Sequence, residues 1–404
     1  MNNSQAIMEK NNALFMETYV RYPDVMTEGK GCVLKGEDGR EYLDFVAGIA
    51  VCSLGHSFPL VTKAICEQAE KLVHVSNLYY TGPQTELARL LVENSFADRI
   101  FLANSGAEAN EAAIKLARKQ SGKGRFEIIS LEGSFHGRTL ATLAATGQAK
   151  FHKDFEPLPE GFRHAPFGDL NSLEKMIKPE TCAIMCEPLQ GEGGVRPLDK
   201  DYIHGIRKLC DEKNLLLIFD EIQVGMGRTG TLFAYEQLGV TPDIMTLAKA
   251  LANGLPIGAM LTTESIAAAF GPGTHASTFG GNPVVCAAAV ATLKTMLTGR
   301  FLDEVRSKGE YLSGKLMTLV ERYPGLAQGV RGQGLILGLV LTPAGVQLGT
   351  AIVNKCFERG ILINFAGNAV LRFIPPLVVS REEIDTLIEA LNLILAEMDR
   401  HRAE

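Results

Sequence analysis

The stretch "LLLIFDEIQVGMGRTG", residues 215–230, joins an apolar run to a polar cluster and then to a glycine-rich segment. Its last six residues spell G-x-G-x-x-G, the spacing of a dinucleotide-binding turn. A dinucleotide-binding turn leaves its strand directly and opens a helix, whereas here the polar cluster 220–223 intervenes and no helical start follows Gly230. The context therefore disfavours a dinucleotide site and directs attention to Asp220, a carboxylate at the end of a buried strand.

Other apolar runs along the chain end in the same way as the run before Asp220. They are continuous rather than alternating, and amphipathic helical stretches separate them, which predicts a mostly parallel sheet covered by helices on both faces. Ligands of such sheets bind beyond the carboxyl ends of the strands, and Lys249 also follows an apolar run. The predicted strands lie at residues 99–103, 126–130, 182–186, 215–219 and 243–248.

The pattern of the sequence changes near residue 300. "GLILGLVL" (334–341) and "VLRFIPPL" (370–377) predict strands, and Ser380 with Glu383 forms a capping box that opens a closing helix. We therefore predict a smaller α/β domain at the C-terminus, with the N-terminal segment packing on it. The predicted parts are an N-terminal segment 1–54, a large domain 55–298 and a small domain 299–404.

Composition and charge exclude several classes of protein. A length of 404 residues predicts two domains or a large domain with a smaller one appended. The net charge of −6 argues against a nucleic-acid scaffold, which would be basic. The cysteines and histidines have no metal-ligand spacing, no signal peptide is recognisable, and no apolar stretch approaches the length of a membrane span. These features predict a cytoplasmic enzyme without a metal, membrane or nucleic-acid partner.

Three features of the predicted sheet edge point to one kind of cofactor. Ser105 and Glu108 form a capping box, so a helix begins near Gly106, and its free amides and positive dipole end suit a phosphate. Asp220 needs a partner because an unpaired buried charge is costly, and a lysine held in a dry site becomes a nucleophile towards carbonyls. Each feature alone is more often structural. A phosphate site, a strand-end aspartate and the strand-end Lys249 together describe a pyridoxal phosphate pocket.

Residues 215–261, which contain the opening stretch, resemble the signature of the class III aminotransferases, enzymes that bind pyridoxal 5′-phosphate. The similarity extends from about Tyr42 to Pro376. It implies the type I, aspartate-aminotransferase-like α/β fold, with a large domain built on a mostly parallel seven-stranded sheet and a smaller α/β domain. It also implies that the G-x-G-x-x-G stretch is a loop after the cofactor-binding aspartate. Three further motifs are most similar to the acetylornithine branch of the family: "SNLYYTGPQTELARLL" (76–91), "FLANSGAEANEAAIKLARK" (101–119) and "FHGRTLATLAATGQ" (135–148).

The family resemblance implies roles for the residues around the cofactor. Lys249 would hold pyridoxal phosphate as a Schiff base and then move the proton during transamination, and Asp220 would pair with the pyridine nitrogen. Gln223 would contact the ring oxygen, and Phe135 would stack on the ring. The residues implied for the phosphate are Ser105, Gly106 and Ala107, with Thr278 from the neighbouring subunit of a homodimer.

Two arginines and a glutamate resemble the substrate-binding residues of the family. Arg138 in "FHGRT" matches the position that grips a carboxylate remote from the reacting amine, a task that suits a bidentate guanidinium. Arg372 in "VLRFIPP" matches the arginine that binds the α-carboxylate of glutamate, and Glu192 in "EPLQGEGG" matches its pairing partner. A movable Glu192–Arg372 pair would expose the arginine for glutamate and hide it from an ω-amine donor. Without the family context, an ordinary ion pair is the more usual interpretation.

The identity of the amine donor rests on fewer residues. Ornithine aminotransferases carry a tyrosine where Ile49 stands, and the missing hydroxyl disfavours free ornithine. The resemblance therefore implies transfer of the δ-amino group of N2-acetylornithine to 2-oxoglutarate, a step of arginine biosynthesis. Departures from the usual pattern at Phe58, Ala250 and Ala252 leave other donors open. The alternatives are 4-aminobutyrate, succinylornithine, N-succinyl-diaminopimelate and ornithine.

Two functions from other classes remain as alternatives. A nicotinamide-binding oxidoreductase would use the glycine-rich stretch and would be colourless when purified. A non-catalytic binding protein would keep the fold but would have no need of Lys249, Asp220 and Arg138 together. The presence of all three side chains therefore favours an enzyme.

Overall fold

The computed structural model describes residues 3–367 and 369–403 as an α/β protein. The strands of this part of the chain are β1 Met26–Lys30, β2 Val33–Gly36, β3 Glu41–Asp44, β4 Arg99–Ala103, β5 Glu127–Leu131, β6 Phe162–Ala165, β7 Thr181–Cys186, β8 Leu189–Gln190, β9 Arg196–Pro197, β10 Leu216–Asp220, β11 Ile244–Leu247, β12 Gly258–Thr262, β13 Ala327–Gln333, β14 Ile336–Leu341, β15 Ile361–Leu362, β16 Asn364–Ala366 and β17 Val370–Phe373.

The helices alternate with the strands through the middle of the chain. They are α1 Asn3–Leu14, α2 Ala47–Ala50, α3 Pro59–Ala69, α4 Gly82–Glu93, α5 Gly106–Ser121, α6 Leu140–Ala145, α7 Leu170–Met176, α8 Lys200–Lys213, α9 Tyr235–Leu238, α10 Glu264–Ala267, α11 Pro283–Met296, α12 Phe301–Arg322, α13 Pro343–Glu358 and α14 Arg381–Ala403. Short 3₁₀ turns lie at Ser76–Leu78, Ala149–Phe151 and Lys249–Ala252. No single helix within 3–367 and 369–403 has the length and apolarity of a membrane span, and only α11 and α12 taken together, bent by 72°, reach them.

The central sheet has seven strands in the order β4-β12-β11-β10-β7-β5-β6. Strand β10 pairs in parallel with β11 and β7, and β5 pairs in parallel with β7 and β6. Strand β12 runs antiparallel to its two neighbours, β11 and β4. The prediction of a mostly parallel seven-stranded sheet is therefore confirmed.

Helices cover both faces of this sheet, because successive side chains of a strand point to opposite sides. Ile218 of β10 packs in a cluster with Ala113 and Leu116 of α5. Its neighbour Phe219 packs in a different cluster with Ile206 of α8. Strands buried on both faces need apolar residues at every position, which explains why β10 reads as a continuous apolar run up to Asp220.

The predicted strands are present, with boundaries that differ by one residue in four cases, including β7, which begins one residue earlier than predicted. Strand β5 begins and ends one residue later than predicted, and β11 is shorter by one residue at each end. Strand β10 includes Asp220 as its last residue, paired with Thr246 of β11. The carboxylate is therefore anchored by the ladder itself rather than by the loop that follows.

Two smaller four-stranded sheets flank the central one, in the orders β1-β2-β3-β15 and β13-β14-β17-β16. Strand β3 from the N-terminal segment pairs in parallel with β15, and β14 pairs with β17 as neighbouring antiparallel strands. The predicted capping box is confirmed, since Ser380 N donates to Glu383 Oε2 (2.7 Å) and Glu383 N donates to Ser380 Oγ (3.1 Å). The boundaries proposed after residues 54 and 298 stay a prediction.

Candidate active site

A cavity of about 440 Å³ lies beyond the carboxyl ends of β4, β5, β7, β10 and β11. Most of the residues predicted for the cofactor and the substrate line it together. These are Ser105, Gly106, Ala107, Phe135, Arg138, Glu192, Asp220, Gln223 and Lys249. Arg372 lies directly behind this lining, where it contacts Glu192 and Gln223. The parallel sheet thus brings together side chains that are far apart in the sequence.

Asp220 forms the floor of the cavity and is held by three donors. Asn110 Nδ2 and His136 Nδ1 each lie 2.8 Å from Asp220 Oδ2, and Ile222 N donates to Oδ1 over 3.1 Å. Asp220 is 3% exposed, so these bonds replace the water that an ionised carboxylate loses on burial. A carboxylate has about four lone-pair sites, which leaves one for a proton-bearing ligand atom in the cavity.

Two of these partners were not assigned a role from the sequence. Asn110 lies on the buried face of α5, among alanines, and its Oδ1 accepts a hydrogen bond from Thr246 Oγ1 (2.7 Å). His136 follows the predicted stacking residue Phe135 and is 2% exposed. A polar residue on an otherwise apolar helix face is the signal that identifies Asn110, whereas His136 becomes recognisable only from the fold.

Lys249 stands at the carboxyl end of β11, the strand next to Asp220. It begins a 3₁₀ turn with φ of 41°, a left-handed conformation that an L-residue adopts only under constraint. Burial lowers the pKa of the Lys249 ammonium, against the raising effect of the Glu192 carboxylate. A lowered pKa favours the neutral amine, the form that attacks carbonyls and accepts protons.

The first turn of α5 points into the same cavity. Ser105 is the N-cap, and its Oγ accepts from Glu108 N over 3.2 Å. The reciprocal bond of the predicted capping box is different: Glu108 Oε2 accepts from Asn104 N (2.7 Å) rather than from Ser105 N. The amides of the first turn have no acceptor within a helix, so those of Gly106 and Ala107 suit an anion.

Gly106 is needed for packing as well, and its predicted role at the phosphate stays a prediction. A Cβ at this position would lie 2.8 Å from Ile222 Cδ1, closer than real contacts allow. Gly258 has a comparable role, since its Cβ would lie 2.1 Å from Ser105 O. Both glycines let α5 sit tightly against the sheet edge, and this fixes where the helix start lies.

Phe135 and Arg138 form one wall of the cavity. Phe135 is oriented by a hydrogen bond from its own N to Glu187 Oε1 (2.9 Å) and by an edge-on contact with Phe151, with 5.8 Å between ring centroids. The guanidinium carbon of Arg138 lies 4.1 Å from the Phe151 centroid. Arg138 is exposed, so its side chain is placed by ring stacking while its donors stay free for a carboxylate.

The predicted ion pair is present on the opposite wall. Arg372 Nη1 lies 2.7 Å from Glu192 Oε1, and Arg372 Nε donates to Asn364 Oδ1 over 3.1 Å. The Arg372 side chain is 1% exposed and that of Glu192 is 32% exposed. Burial raises the pKa of Glu192, but the charges of Arg372 and Lys249 and the hydrogen bonds from Arg372 and Gln223 together outweigh it, so the pKa lies below its usual value. The Glu192 carboxylate is therefore ionised at neutral pH.

Gln223 belongs to this pair in the structure. Its Nε2 donates to Glu192 Oε1 over 3.2 Å, and its Oε1 accepts from Arg372 Nη1 over 3.1 Å. Gly191 makes room for it, because a Cβ there would lie 1.6 Å from Gln223 Oε1. The predicted contact of Gln223 with a ring oxygen stays a prediction.

Glu187 is a further buried carboxylate of the cavity that the sequence analysis did not assign. It is 6% exposed and accepts from Phe135 N (2.9 Å) and Gly191 N (3.3 Å). Burial raises the pKa of Glu187 to about 7, against the lowering effect of His136. Its position links the Phe135 wall to the segment that carries Glu192.

Thr278 lies apart from the Lys249 cavity. It is exposed and borders a second cavity of about 970 Å³ together with Ser76, Asn77 and Ser277. Leu78, which lines this cavity, is exposed, as are the next two residues, Tyr79 and Tyr80, and Phe279 beside Thr278. Within one chain, Thr278 therefore does not join the other residues predicted for the phosphate. Ile49 is also absent from the lining of the Lys249 cavity, which includes Val51 instead.

The residues of the cavity fit pyridoxal phosphate. Lys249 supplies an amine, Asp220 supplies a fixed carboxylate for a protonated ring nitrogen, and the start of α5 supplies amides for a phosphate. No cluster of three or more potential metal ligands occurs among residues 3–367 and 369–403.

Comparisons of the sequence agree with this arrangement. A model of the family described as aminotransferase class-III matches residues 16–395. The acetylornithine aminotransferase of Methanocaldococcus jannaschii is 51% identical over 389 residues, which cover 95% of this chain and 96% of that protein. The acetylornithine aminotransferase of Thermosynechococcus vestitus is 50% identical over 393 residues, 95% of each chain.

Comparisons of the fold lead to the same group of proteins. The ornithine aminotransferase from Toxoplasma gondii ME49 superposes with a TM-score of 0.94 at 31% identity, covering 99% of this chain and 97% of that one. The N-acetylornithine aminotransferase from Stenotrophomonas maltophilia K279a superposes with a TM-score of 0.83 at 38% identity, covering 96% and 98%. The predicted type I fold is confirmed by these superpositions. The chain belongs to the class-III aminotransferase family.

Proposed function

We propose that the protein transfers the δ-amino group of N2-acetylornithine to 2-oxoglutarate, giving N-acetylglutamate 5-semialdehyde and glutamate, a step of arginine biosynthesis. One observation carries the choice of donor: relatives that are about half identical over 95% of the chain are acetylornithine aminotransferases. The superposition on an ornithine aminotransferase is close, but at 31% identity it supports the family rather than the donor.

Pyridoxal phosphate, when bound, supplies an electron sink that stabilises negative charge on the carbon bearing the amine. Lys249 Nζ would attach the cofactor and, once released, take the proton from that carbon, a role helped by the lowered pKa of the amine. The hydrogen bonds from Asn110 Nδ2 and Ile222 N would hold the Asp220 carboxylate in place for the ring nitrogen. Its fixed charge would keep a proton on the ring nitrogen.

Substrate recognition would divide between the two walls of the cavity. Arg138 would bind the carboxylate of N2-acetylornithine, remote from the reacting amine, through the donors that ring stacking leaves free. In that half-reaction Glu192 would stay on Arg372, as in the structure, and neutralise it. When glutamate binds, Glu192 would leave and Arg372 would take the α-carboxylate. The kinetics would be ping-pong.

The exposed surface around Thr278 supports a homodimer with shared active sites. Contiguous apolar side chains that face solvent mark interaction sites, and Leu78, Tyr79, Tyr80 and Phe279 are exposed in this part of the chain. In the dimer, Thr278 would reach the phosphate at the start of α5 in the other subunit. We place the enzyme in the cytoplasm, as its role in amino-acid biosynthesis suggests.

The visible spectrum of the purified protein tests the cofactor and the donor together. We expect a yellow protein that N2-acetylornithine bleaches faster than ornithine or 4-aminobutyrate, each added in a separate cuvette, and that 2-oxoglutarate restores. Faster bleaching by another amine would agree with the family assignment but would identify that amine, rather than N2-acetylornithine, as the preferred donor. A protein that stays colourless after incubation with pyridoxal phosphate would contradict the proposal.

A further inference from the structure

Arg228 lies in the glycine-rich stretch 225–230. Its guanidinium is buried and forms hydrogen bonds to neutral groups. Arg228 is 1% exposed. Its guanidinium donates to Leu335 O (2.9 Å), Pro375 O (2.5 Å) and Ser53 Oγ (3.0 Å). Its Nε is buried without a hydrogen-bond partner. Arginine is almost never fully buried unless it is paired, so a buried guanidinium whose hydrogen bonds all go to uncharged acceptors is an uncommon arrangement that requires an explanation.

The glycines of the stretch shape the backbone around this side chain. Gly227 and Gly230 have φ of 83° and 96°, in the left-handed region that favours glycine. Leu335 N donates to Arg228 O over 3.0 Å, and a Cβ at Gly334 would lie 2.6 Å from the same oxygen. The G-x-G-x-x-G spacing therefore serves a close contact between two loops rather than a nucleotide.

Two of the three segments that the guanidinium contacts also carry part of the active site. Pro375 follows β17, which carries Arg372, and Ser53 follows the turn that carries Val51 of the cavity wall. Arg228 itself follows Gln223 in one loop. One guanidinium thus lies where three parts of the substrate site meet.

Backbone hydrogen bonds complete this junction. Ile374 N donates to Phe45 O (2.9 Å), and Leu377 N donates to Ser53 O (2.7 Å). These bonds join the segment after β17 to the N-terminal turn, but they leave both unattached to the loop after β10. Arg372 Nη1 bonds to Gln223 Oε1 of that loop, and the Arg228 side chain adds a connection to both segments, since its Nη1 and Nη2 reach Pro375 and Ser53.

We propose that Arg228 is a positioning residue for the dicarboxylate substrate. It locks the segment after β17, and with it Arg372, against the loop that carries Gln223. The choice of 2-oxoglutarate as the probe rests on the proposed function, whereas the structural role of Arg228 does not. Nothing in the role requires contact between Arg228 and either substrate or cofactor.

Hydrogen–deuterium exchange of the Arg228→Lys variant tests the lock without reference to activity. Lysine keeps the charge but lacks the planar fork that reaches several acceptors. We expect faster exchange in peptides covering 45–54 and 370–377, and unchanged exchange in β5. Arg125→Lys is the matched control, because Arg125 also bonds to backbone carbonyls, of Thr181 and Asn214, at the opposite edge of the sheet. This control should leave both peptides unchanged.

Kinetics then test the consequence for the substrate. In Arg228→Lys we expect the KM for 2-oxoglutarate to rise roughly tenfold, equivalent to about 1.4 kcal/mol, and that for N2-acetylornithine to change by less than about twofold. If Arg228→Lys does not fold, Ser53→Ala, which removes a single acceptor of the guanidinium, replaces it in the exchange experiment. This variant should speed deuterium exchange in the peptide covering 45–54. Unchanged exchange at 45–54 and 370–377, or equal rises in both KM values, would overturn the proposal. Absence of N2-acetylornithine turnover in the wild type would instead count against the proposed function alone.

Discussion

Two carboxylates face the same cavity, and the fold holds them in opposite ways. Asp220 is 3% exposed and accepts hydrogen bonds from Asn110, His136 and Ile222 N. The Glu192 side chain is 32% exposed and accepts from Arg372 and Gln223. Rotation of Asp220 would break bonds to three separate elements, whereas Glu192 can turn towards solvent.

The difference separates the permanent part of the site from the adjustable part. A charge that acts on the cofactor in every cycle is best fixed, because preorganised groups need no rearrangement at the moment of reaction. A charge that must accept one substrate and reject another has to move. The partner of Glu192 is an arginine that would otherwise remain buried and unpaired, and leaving such a charge uncompensated is costly. If Glu192 moves away as we propose, a substrate carboxylate must therefore replace it at Arg372.

The largest expected effect is at Lys249, which lines the same cavity as the two carboxylates. Lys249→Ala should lower turnover at least about 10⁴-fold, since it removes both the nucleophile and the proton-transferring group. The fold should be retained, with a melting temperature close to that of wild type. Lys208→Ala, at an exposed position of α8, is the control. A Lys249→Ala variant with substantial activity would remove this residue from its proposed role.

The fixed carboxylate gives the next largest effect. Asp220→Asn should lower the rate of both half-reactions by roughly 10²–10³-fold, the usual consequence of removing a preorganised electrostatic group. Its new amide would also face the Asn110 amide as donor against donor, so cofactor affinity should fall. Single-turnover spectra and cofactor titration measure both. A loss confined to one half-reaction would show that Asp220 does not act in both. The control is Asp169→Asn, at the N-cap of α7, which should change neither the half-reaction rates nor the cofactor affinity.

The movable pair should give a smaller and one-sided effect. Arg372→Ala should slow the glutamate half-reaction by roughly 10–100-fold, as expected for lost hydrogen bonds to a charged group. The N2-acetylornithine half-reaction should change much less, because its carboxylate would be bound by Arg138 instead. Equal losses in the two single-turnover rates would contradict the switch and leave Glu192–Arg372 as an ordinary ion pair.

The sequence predicts the fold well because local composition already determines it. Continuous apolar runs such as β7 and β10 must be buried on both faces, and the polar residues that end them must share one edge. That edge is where Asp220 and Lys249 lie in the structure. The prediction was less accurate at the ends of the strands. Strand β10, for example, extends one residue further than predicted and includes Asp220.

The contacts that fix the site were less accessible from the sequence. His136 and Asn110 reach Asp220 from two other elements, and only the assembled sheet shows that they converge. The contact that requires glycine at position 106 is with Ile222, which lies on another segment. The pairing of Gln223 with Arg372 joins two residues far apart in the chain. Spacing within one segment predicts hydrogen bonds within it, and it carries no information about partners from other segments.

The smallest expected effect concerns the pKa of Lys249. The comparison is between the effects of the Glu192 and Asp220 carboxylates on that pKa. Burial lowers the pKa of Lys249, and Glu192 opposes this more strongly than Asp220 does. An anion stabilises the protonated amine, so removing one must lower the pKa further. Glu192→Gln should therefore shift the pKa of Lys249 down by more than Asp220→Asn does.

Acylation of the cofactor-free protein over a range of pH measures this order directly. The rate at which acetic anhydride labels Lys249, followed by mass spectrometry, rises as the amine loses its proton, and the midpoint gives the pKa. The exposed Lys208 serves as an internal reference in every sample. A larger shift in Asp220→Asn than in Glu192→Gln would mean that the fixed carboxylate, rather than the movable one, controls the amine. Movement of Glu192 between substrates would then change the proton affinity of Lys249 less than the fixed charge of Asp220 sets it.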